Sequence, residues 1–219
     1  MRLGVFGGTF DPPHVGHLIV ASDAYDALDL DRILFIPSAQ PPHKSGVHAT
    51  PEQRLALTRA AVADDDRFEV DAVELQRTGA SYTADTLRIL RDRYPDAEIF
   101  LLVGADAARE MHSWHRPDAV ADLARIAVMS REGDDEDLGE TAIPVRVTRI
   151  DLSSTDLRER VRDGRSIRYL VPEVIRGDVE EIYGASTRAA VDDVLRLSQT
   201  SDARRGGQVS SRDDLHERG

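Results

Sequence analysis

The chain has 219 residues, of which 41% are hydrophobic and 31% charged, a composition typical of one globular domain with a full core. Its formal net charge of -12 argues against nucleic acid as a partner, because nucleic-acid-binding proteins usually carry a basic face. The absence of cysteine excludes disulfides, a thiol nucleophile and thiolate metal sites. No apolar run approaches the ~20 residues of a membrane helix, and the N-terminus lacks a signal-peptide pattern. We therefore expect a cytoplasmic protein that does not contact a membrane.

Apolar runs typical of buried strands alternate along the chain with segments typical of helices. The predicted strands are residues 3–6, 32–37, 68–75, 98–103, 125–129 and 143–150. The predicted helices are residues 15–28, 50–63, 83–94, 105–111, 117–123, 153–163 and 172–183. This alternation predicts an α/β fold: a Rossmann-like, doubly wound sheet that is mostly parallel and has helices on both faces.

The pattern divides the chain into a single domain, residues 1–184, and a C-terminal extension, residues 185–219. The extension begins with helix-like spacing over residues 186–197. Residues 198–219 contain almost no apolar side chains, so they cannot bury enough surface to offset the entropy of ordering. We expect a short helix followed by a disordered, flexible tail.

Glycine-rich or polar segments follow four of the predicted strands, at residues 7–8, 37–38, 104–106 and 151–155. In open α/β sheets, ligands bind outside the carboxyl ends of the strands, where the strand order reverses. We therefore expect these four segments to converge on one crevice.

The most informative segment is Gly7-Gly8-Thr9-Phe10-Asp11-Pro12-Pro13-His14-Val15-Gly16-His17. A strand, a glycine turn and a helix N-terminus together present backbone N–H groups and the positive end of a helix dipole to an anion. His14 and His17 lie three residues apart, so one helical turn places them on the same face. The segment predicts a phosphate site with histidine donors.

Other interpretations of this segment are weaker. It is not a Walker A loop, because no Gly-Lys-Ser/Thr follows, and it lacks the third glycine of the dinucleotide-binding fingerprint. The histidine pair can supply two metal ligands, but no third ligand is evident nearby. Two histidines without a ligand role are the remaining alternative.

The same segment resembles the first signature of the nucleotidylyltransferase superfamily, whose hallmark is H-x-G-H. The segment Leu152-Ser153-Ser154-Thr155-Asp156-Leu157-Arg158 resembles the second signature, I-S-S-T-x-I-R, with leucine at both isoleucine positions. Further elements are similar to those of bacterial nicotinate-nucleotide adenylyltransferases: Pro41-Pro42-His43-Lys44, Ser81-Tyr82-Thr83-Ala84-Asp85-Thr86, Gly104-Ala105-Asp106, and Trp114 with His115. The resemblance covers roughly residues 1–184, and phosphopantetheine adenylyltransferases lack the middle elements.

The resemblance implies that the phosphate of nicotinate mononucleotide attacks the α-phosphorus of ATP directly, giving nicotinate adenine dinucleotide and pyrophosphate for NAD synthesis. It implies no covalent enzyme intermediate. It also implies Mg²⁺ as cofactor, held mainly by the ATP phosphates and water, with no metal ligands from the protein. The partners would be the two substrates, and a homo-oligomer is left open.

The resemblance also implies roles for individual residues. The implied catalytic residues, which stabilise the transferring phosphate, are His14, His17, Lys44 and Arg158. The implied ATP-binding residues are Gly8, Thr9, Phe10, His14, His17, Gly104, Asp106, Ser154, Thr155 and Arg158. The implied residues for nicotinate mononucleotide are Lys44, Thr83, Asp106, Trp114, His115 and Arg131. The only tryptophan would stack on the pyridine ring, and backbone N–H groups at Thr83 and His115 would hold its carboxylate.

Simpler alternatives exist for several of these roles. Lys44 can be a solvated surface lysine, Arg158 an exposed helix arginine and Asp106 a helix N-cap. For the whole protein, the alternatives are transfer to another phosphorylated acceptor, such as nicotinamide mononucleotide or phosphopantetheine, or use of CTP. A non-catalytic nucleotide-sensing domain is a further alternative, against which the intact set of His14, His17, Lys44 and Arg158 argues.

Overall fold

The computed structural model describes residues 1–40, 47–130 and 142–184. Its strands are β1 (Arg2–Gly8), β2 (Arg32–Pro37), β3 (Phe68–Val70), β4 (Glu98–Gly104), β5 (Arg125–Ser130) and β6 (Ile143–Arg146). Its helices are α1 (Val15–Ala27), α2 (Pro51–Val62), α3 (Thr83–Arg93), α4 (Ala105–Arg109), α5 (Pro117–Leu123) and α6 (Ser154–Arg162), with a 3-10 turn at Met111–Ser113. Residues 173–184 form a further helix, α7. Within these ranges, no helix is both long and apolar enough to cross a lipid bilayer.

The six strands form one sheet in the order β3-β2-β1-β4-β5-β6, and every pair is parallel. The predicted α/β doubly wound fold is thus confirmed, with a sheet that is wholly rather than mostly parallel in the described residues. β1 pairs with β2 on one side and β4 on the other, so the winding direction reverses there. The reversal opens a crevice beyond the carboxyl ends of β1 and β4, where a ligand is expected.

Both faces of the sheet are covered, because alternate residues along each strand pack into different hydrophobic clusters. In β2, Leu34 and Ile36 pack into the cluster that includes buried residues of α3. Ile33 and Phe35 pack into the cluster that includes buried alanines of α1. The prediction of helices on both faces is therefore correct.

Two strands are shorter than predicted, since β3 ends at residue 70 rather than 75 and β6 at residue 146 rather than 150. After β3, the Asp71 carboxylate accepts a hydrogen bond from the Val73 N–H at 2.9 Å, which turns the chain out of the sheet. After β6, the Thr148 N–H donates to the Asp23 carboxylate of α1 at 2.6 Å. In both places a side-chain carboxylate binds a backbone N–H group just beyond the end of the strand.

Helices α2 and α6 begin with capping boxes at the predicted helix starts, residues 50 and 153. At α2, Thr50 Oγ1 accepts from the Gln53 N–H at 3.2 Å, and Gln53 Oε1 accepts from the Thr50 N–H at 2.9 Å. At α6, the Ser153 hydroxyl accepts from the Asp156 N–H at 3.1 Å, and the Asp156 carboxylate accepts from the Ser153 N–H. The second box defines the helix N-terminus that faces the crevice.

A third hydrophobic cluster holds α6 and α7 against the start of α2. Its buried members are Ala49, Leu57, Leu157, Ile167, Val171, Ile175, Val179 and Tyr183. Because α6 contributes one buried residue, Leu157, and the partly buried Val161 to it, the position of α6 at the crevice depends on the segment that follows it, residues 167–183.

Candidate active site

Cavity 1, which lies beside the glycine turn, has a volume of about 530 Å³. It lies between the carboxyl end of β1 and the N-termini of α1 and α6. Its lining residues are Phe6, Gly7, Gly8, Thr9, Phe10, Asp11, His14, His17, Val47, Leu152, Ser153, Ser154, Thr155 and Arg158. The structure therefore brings together the two signature segments, which are separated by more than half of the sequence. Two helix N-termini at one cavity make it suited to an anion.

His14 and His17 stack at this cavity with their ring centroids 3.7 Å apart. The His14 backbone N–H donates to Nδ1 of His17 at 3.1 Å, so the His17 side chain caps the N-terminus of α1. Because Nδ1 is an acceptor in this bond, the proton of a neutral His17 sits on Nε2. The neutral His17 ring can therefore donate a hydrogen bond from Nε2.

His14 is 6% exposed, and its Nδ1 has no hydrogen-bond partner among the described residues. Burial lowers the pKa of His14 from 6.5 to about 4, with the charge of Asp156 acting in the opposite direction. His14 is therefore neutral at neutral pH in the free protein.

Asp11, which the sequence analysis assigned no role, is the buried centre of the turn. Its carboxylate accepts hydrogen bonds from the backbone N–H groups of His48 and Ala49 and from the hydroxyl of Tyr183, at 2.8 to 3.1 Å. Burial is the main cause that raises the pKa of Tyr183, and the adjacent Asp11 adds to it, so the hydroxyl stays protonated and donates. Asp11 thus joins the glycine turn, the start of α2 and α7.

Arg158 is not the exposed helix arginine of the alternative interpretation, since its side chain is only 13% exposed. One guanidinium nitrogen donates to the backbone carbonyl of Asp11 at 2.7 Å and another to the hydroxyl of Thr155 at 3.1 Å. Its Nε is buried without a partner among the described residues. Ser154 donates its hydroxyl to the carbonyl of Pro12 at 2.8 Å, which adds a second link between α6 and the turn.

Arg54 of α2 is fully buried and was also missed by the sequence analysis. Its guanidinium donates to the carbonyl oxygens of Thr9, Ala49 and Ala39, at 2.7, 3.3 and 3.4 Å. Burial lowers its pKa, while the charge of Asp11 opposes the shift. The signal in the sequence was its position three residues before the apolar Leu57, on the face of α2 that packs inward.

Gly8 and Phe10 illustrate how tightly the turn is built. The Phe10 ring is 2% exposed, and its backbone takes a φ of 48°. A Cβ atom on Gly8 would lie 2.8 Å from that ring, so only glycine fits there. Phe10 thus lines the cavity while its ring belongs to the core beneath it.

Cavity 2, with a volume of about 230 Å³, lies on the other side of the same turn. Its lining residues are Val5, Gly7, Gly8, Thr9, Ile36, Ser38, Glu74, Ser81, Thr83, Thr86, Leu87, Leu101, Leu102, Val103 and Trp114. It is mostly apolar and shares the lining residues Gly7, Gly8 and Thr9 with cavity 1. Burial raises the pKa of Glu74, whereas the hydroxyls of Ser81 and Thr86 oppose that shift.

Trp114 and Thr83 also line cavity 3, which has a volume of about 220 Å³. Its other lining residues are Ser81, Tyr82, Ala107, Glu110 and His115. Trp114 is half-buried and packs against the core, so it is both a core residue and a wall of two cavities. The His115 ring stacks on Tyr82 with centroids 4.2 Å apart. The predicted acceptor residues Thr83, Trp114 and His115 therefore lie together.

Other predicted residues lie elsewhere. Gly104 and Asp106 follow β4 but line none of the three cavities described above. Asp106 is not a helix N-cap, because α4 begins after Gly104, and its exposed side chain pairs with Arg109. Lys44 and Arg131, like the predicted helix 186–197 and the tail, lie outside the described residues. Among the described residues, no group of three potential ligands is placed to hold a metal ion.

Fold and site together define a nucleotidyltransferase of the α/β class, and residues 5–160 match the family model described as cytidylyltransferase-like. The chain is 44% identical over 192 residues to "Probable nicotinate-nucleotide adenylyltransferase" of Geobacillus thermodenitrificans, covering 86% of this chain and 89% of that protein. It is 43% identical over 182 residues to the protein of the same name from Thermus thermophilus, covering 83% and 97%. The chain therefore belongs to the nicotinate-nucleotide adenylyltransferase family.

Solved structures share the fold. "Plasmodium falciparum nicotinic acid mononucleotide adenylyltransferase complexed with NaAD" has a TM-score of 0.68 at 14% identity, covering 83% of this chain and 97% of that chain. A putative nicotinate-nucleotide adenylyltransferase from Vibrio parahaemolyticus has a TM-score of 0.60 at 20% identity, covering 84% and 96%.

Proposed function

We propose that this protein transfers the adenylyl group of ATP to nicotinate mononucleotide, giving nicotinate adenine dinucleotide and pyrophosphate in NAD synthesis. The observation that carries the proposal is that cavities 1 and 2 share Gly7, Gly8 and Thr9 as lining residues. Two substrates occupying these cavities would meet at the glycine turn, where the phosphate of one can reach the α-phosphate of the other.

Cavity 1 is suited to the triphosphate of ATP. His14 and His17 stand at the N-terminus of α1, while Ser154, Thr155 and Arg158 stand at the start of α6. The helix N-termini and the guanidinium supply positive potential from two directions. Lys44, Gly104 and Asp106 remain part of the proposed site on the strength of the family resemblance.

Cavities 2 and 3 are suited to the mononucleotide. Trp114 forms a wall of both, which favours stacking on the pyridine ring. Backbone N–H groups at Thr83 and His115 would hold the ring carboxylate, and Arg131 would approach the phosphate. Donors aimed at a carboxylate are poorly matched by an amide, so the site would prefer nicotinate over nicotinamide mononucleotide.

In the proposed reaction, an oxygen of the mononucleotide phosphate forms a new bond to the α-phosphorus of ATP. The bond between that phosphorus and the bridging oxygen of pyrophosphate breaks, and pyrophosphate leaves with the electron pair. Catalysis depends on alignment and on stabilising the charge of the phosphoryl oxygens, because no protein nucleophile is needed. The Nε2 proton of His17 and the guanidinium of Arg158 are the donors that we assign to this charge.

We propose that Mg²⁺ accompanies ATP and, when bound, partly neutralises the triphosphate. The residues present fit a cation held by phosphate oxygens and water. Asp11 is the one carboxylate lining cavity 1 in the described residues, and its oxygens already accept three hydrogen bonds from the protein. The protein would therefore contribute to metal binding by placing the phosphates.

Pyrophosphate release from ATP and Mg²⁺ tests the function with a panel of acceptors: nicotinate mononucleotide, nicotinamide mononucleotide and phosphopantetheine. We expect release to be fastest with nicotinate mononucleotide, and a repeat with CTP to give little product. Release with none of the three acceptors, despite measurable ATP binding, would instead support a nucleotide-sensing domain.

The variant His17→Ala tests the site. Removing one donor to a transferring group typically lowers turnover by about 10²–10³-fold, so we expect at least that loss while the protein stays folded. The matched control is His112→Ala, since His112 is exposed and lines none of the three cavities. Turnover near that of the unmodified protein in His17→Ala would refute the assignment.

A further inference from the structure

Glu74 is a buried carboxylate in the wall of cavity 2 to which no role has yet been assigned. It lies in the turn that follows β3 and is 8% exposed. Its Oε1 accepts a hydrogen bond from the hydroxyl of Thr86 at 2.8 Å, and its Oε2 has no partner among the described residues. Burying a carboxylate is costly unless it is well paired, so its presence here calls for a reason beyond packing.

The hydrogen bonds of Ser81, which lines cavity 2 together with Glu74, connect two separate segments of the cavity wall. The Ser81 hydroxyl accepts from the backbone N–H groups of Ala39 and Gln40, at 3.0 and 3.2 Å. The Ser81 N–H donates back to the carbonyl of Gln40 at 3.1 Å. Because Ser81 Oγ accepts twice, its proton remains to be donated, and Glu74 lines the same cavity beside it.

The Glu74 carboxylate therefore lies near the hydroxyls at both ends of residues 81–86, those of Ser81 and Thr86. Thr86 holds it by a hydrogen bond from the first turn of α3, and Ser81, two residues before that helix, lines the same cavity. Thr83 lies between them, and its backbone N–H belongs to the helix N-terminus that lines cavities 2 and 3. A shift of Glu74 would move Thr86, which anchors the first turn of the same helix as Thr83.

We infer that Glu74 is a positioning residue for the acceptor substrate, fixing the N-terminus of α3 so that its N–H groups are aimed at the pyridine carboxylate. The inference rests on the proposed function, because it assigns the acceptor to cavities 2 and 3. Glu74 lines cavity 2 and not cavity 1, so its effect is confined to the acceptor side.

The test uses Glu74→Gln, which keeps the size of the side chain but replaces the unpartnered carboxylate oxygen with an amide N–H₂ donor. The KM for nicotinate mononucleotide is expected to rise about 10- to 100-fold, because small misplacements of a binding group cost that much. The KM for ATP should change less than about threefold. Trp114 is the only tryptophan, so its fluorescence on titration with the mononucleotide gives a Kd that does not depend on turnover.

A second variant and a control separate positioning from general stability. Thr86→Val removes the hydroxyl that binds Oε1, and we expect the same change in acceptor KM, with the double variant no worse than either single one. The control is Glu69→Gln, an exposed carboxylate on β3 that pairs with Arg32 and lines none of the three cavities. It should leave both KM values unchanged.

The outcomes are distinguishable. A rise in acceptor KM and Kd with an unchanged KM for ATP supports the inference. Unchanged values in Glu74→Gln would overturn it, as would equal losses for both substrates together with a large fall in melting temperature. If the unmodified protein releases no pyrophosphate with nicotinate mononucleotide, the proposed function itself is wrong.

Discussion

His14 is the site residue whose protonation the fold alters most. Its pKa is lowered from 6.5 to about 4 by burial, so the unfolded chain binds a proton in a pH range where the folded protein does not. Stability contributed by the neutral ring is therefore complete above pH 6.5 and is lost progressively as the pH falls toward 4.

We expect this effect to appear in the pH dependence of unfolding. Between about pH 7 and about pH 5, the unmodified protein should lose about 2 kcal/mol more unfolding free energy than His14→Gln. Urea unfolding of both proteins across that range measures the difference. Parallel curves for the two proteins would mean that His14 is not desolvated in the folded state.

Gly7 and Gly4 stand on the same strand but fulfil different requirements. A Cβ atom on Gly7 would meet nothing within 4 Å, and Gly7 lines both cavities 1 and 2. A Cβ atom on Gly4 would lie 2.8 Å from Leu30 and 2.9 Å from Ile33. One glycine keeps space free for ligands, and the other keeps space free for the core.

The pair gives a prediction with an internal contrast. Gly7→Val should fold with a melting temperature close to that of the unmodified protein, but should lose binding of both substrates because its side chain enters both cavities. Gly4→Ala should retain substrate affinity and lose about 1–3 kcal/mol of stability from overpacking. Thermal unfolding and titration with each substrate measure both effects, and full affinity in Gly7→Val would show that the ligands do not meet at the turn.

At the scale of elements, α7 supports the site without lining cavity 1. Its residue Tyr183 is 5% exposed and donates its hydroxyl to the carboxylate of Asp11. The backbone carbonyl of Asp11 in turn accepts a hydrogen bond from Arg158. A helix at the end of the described chain thus helps to hold the first turn after β1. This contact explains why Asp11 can be buried, since its charge is met by three donors.

Tyr183→Phe removes one of these donors without changing the packing of the ring. We expect a loss of about 1–3 kcal/mol in unfolding free energy, the typical cost of leaving a buried charged acceptor short of a partner. The KM for ATP should rise, because Asp11 and Arg158 are held together. Tyr169→Phe is the matched control, since Tyr169 is 79% exposed. Identical stabilities of the two variants would show that the Tyr183 hydroxyl does not stabilise the buried Asp11 carboxylate.

For the whole molecule, we propose that residues 1–184 form a domain that folds without residues 185–219. Residues 198–219 have almost no apolar side chains to bury, whereas α7 supplies Ile175, Val179 and Tyr183 to a buried cluster. A chain ending at residue 184 should keep its melting temperature within a few degrees and retain turnover.

A chain ending at residue 172 should unfold or aggregate, since it loses the α7 side of that cluster and the hydroxyl on Asp11. Circular dichroism and pyrophosphate release compare the two truncations. Equal stability of the two would place the domain boundary before α7 and contradict the proposed one.

Much of the fold could be predicted from the sequence because its signals are local. Alternating apolar runs, the capping residues Thr50 and Ser153, and the glycine turn each act within a few residues. The ends of β3 and β6 could not, because Asp71 and Asp23 decide them by accepting backbone hydrogen bonds that no periodicity reveals. The parts of the site in the two signature segments, including His14, His17 and Arg158, could also be named from sequence.

The sequence by itself thus determined the α/β class, the anion-binding turn and the family, since these depend on local patterns and on motifs whose residues are contiguous. Only the tertiary structure decided that Asp11, Arg54, Glu74 and Tyr183 belong to the site. Each is a polar side chain whose hydrogen-bond partners come from other elements of the fold, and no local pattern names those partners. Tertiary contacts also decided that two cavities meet at the glycine turn, because that requires β1, α3 and α6 to be placed around it together.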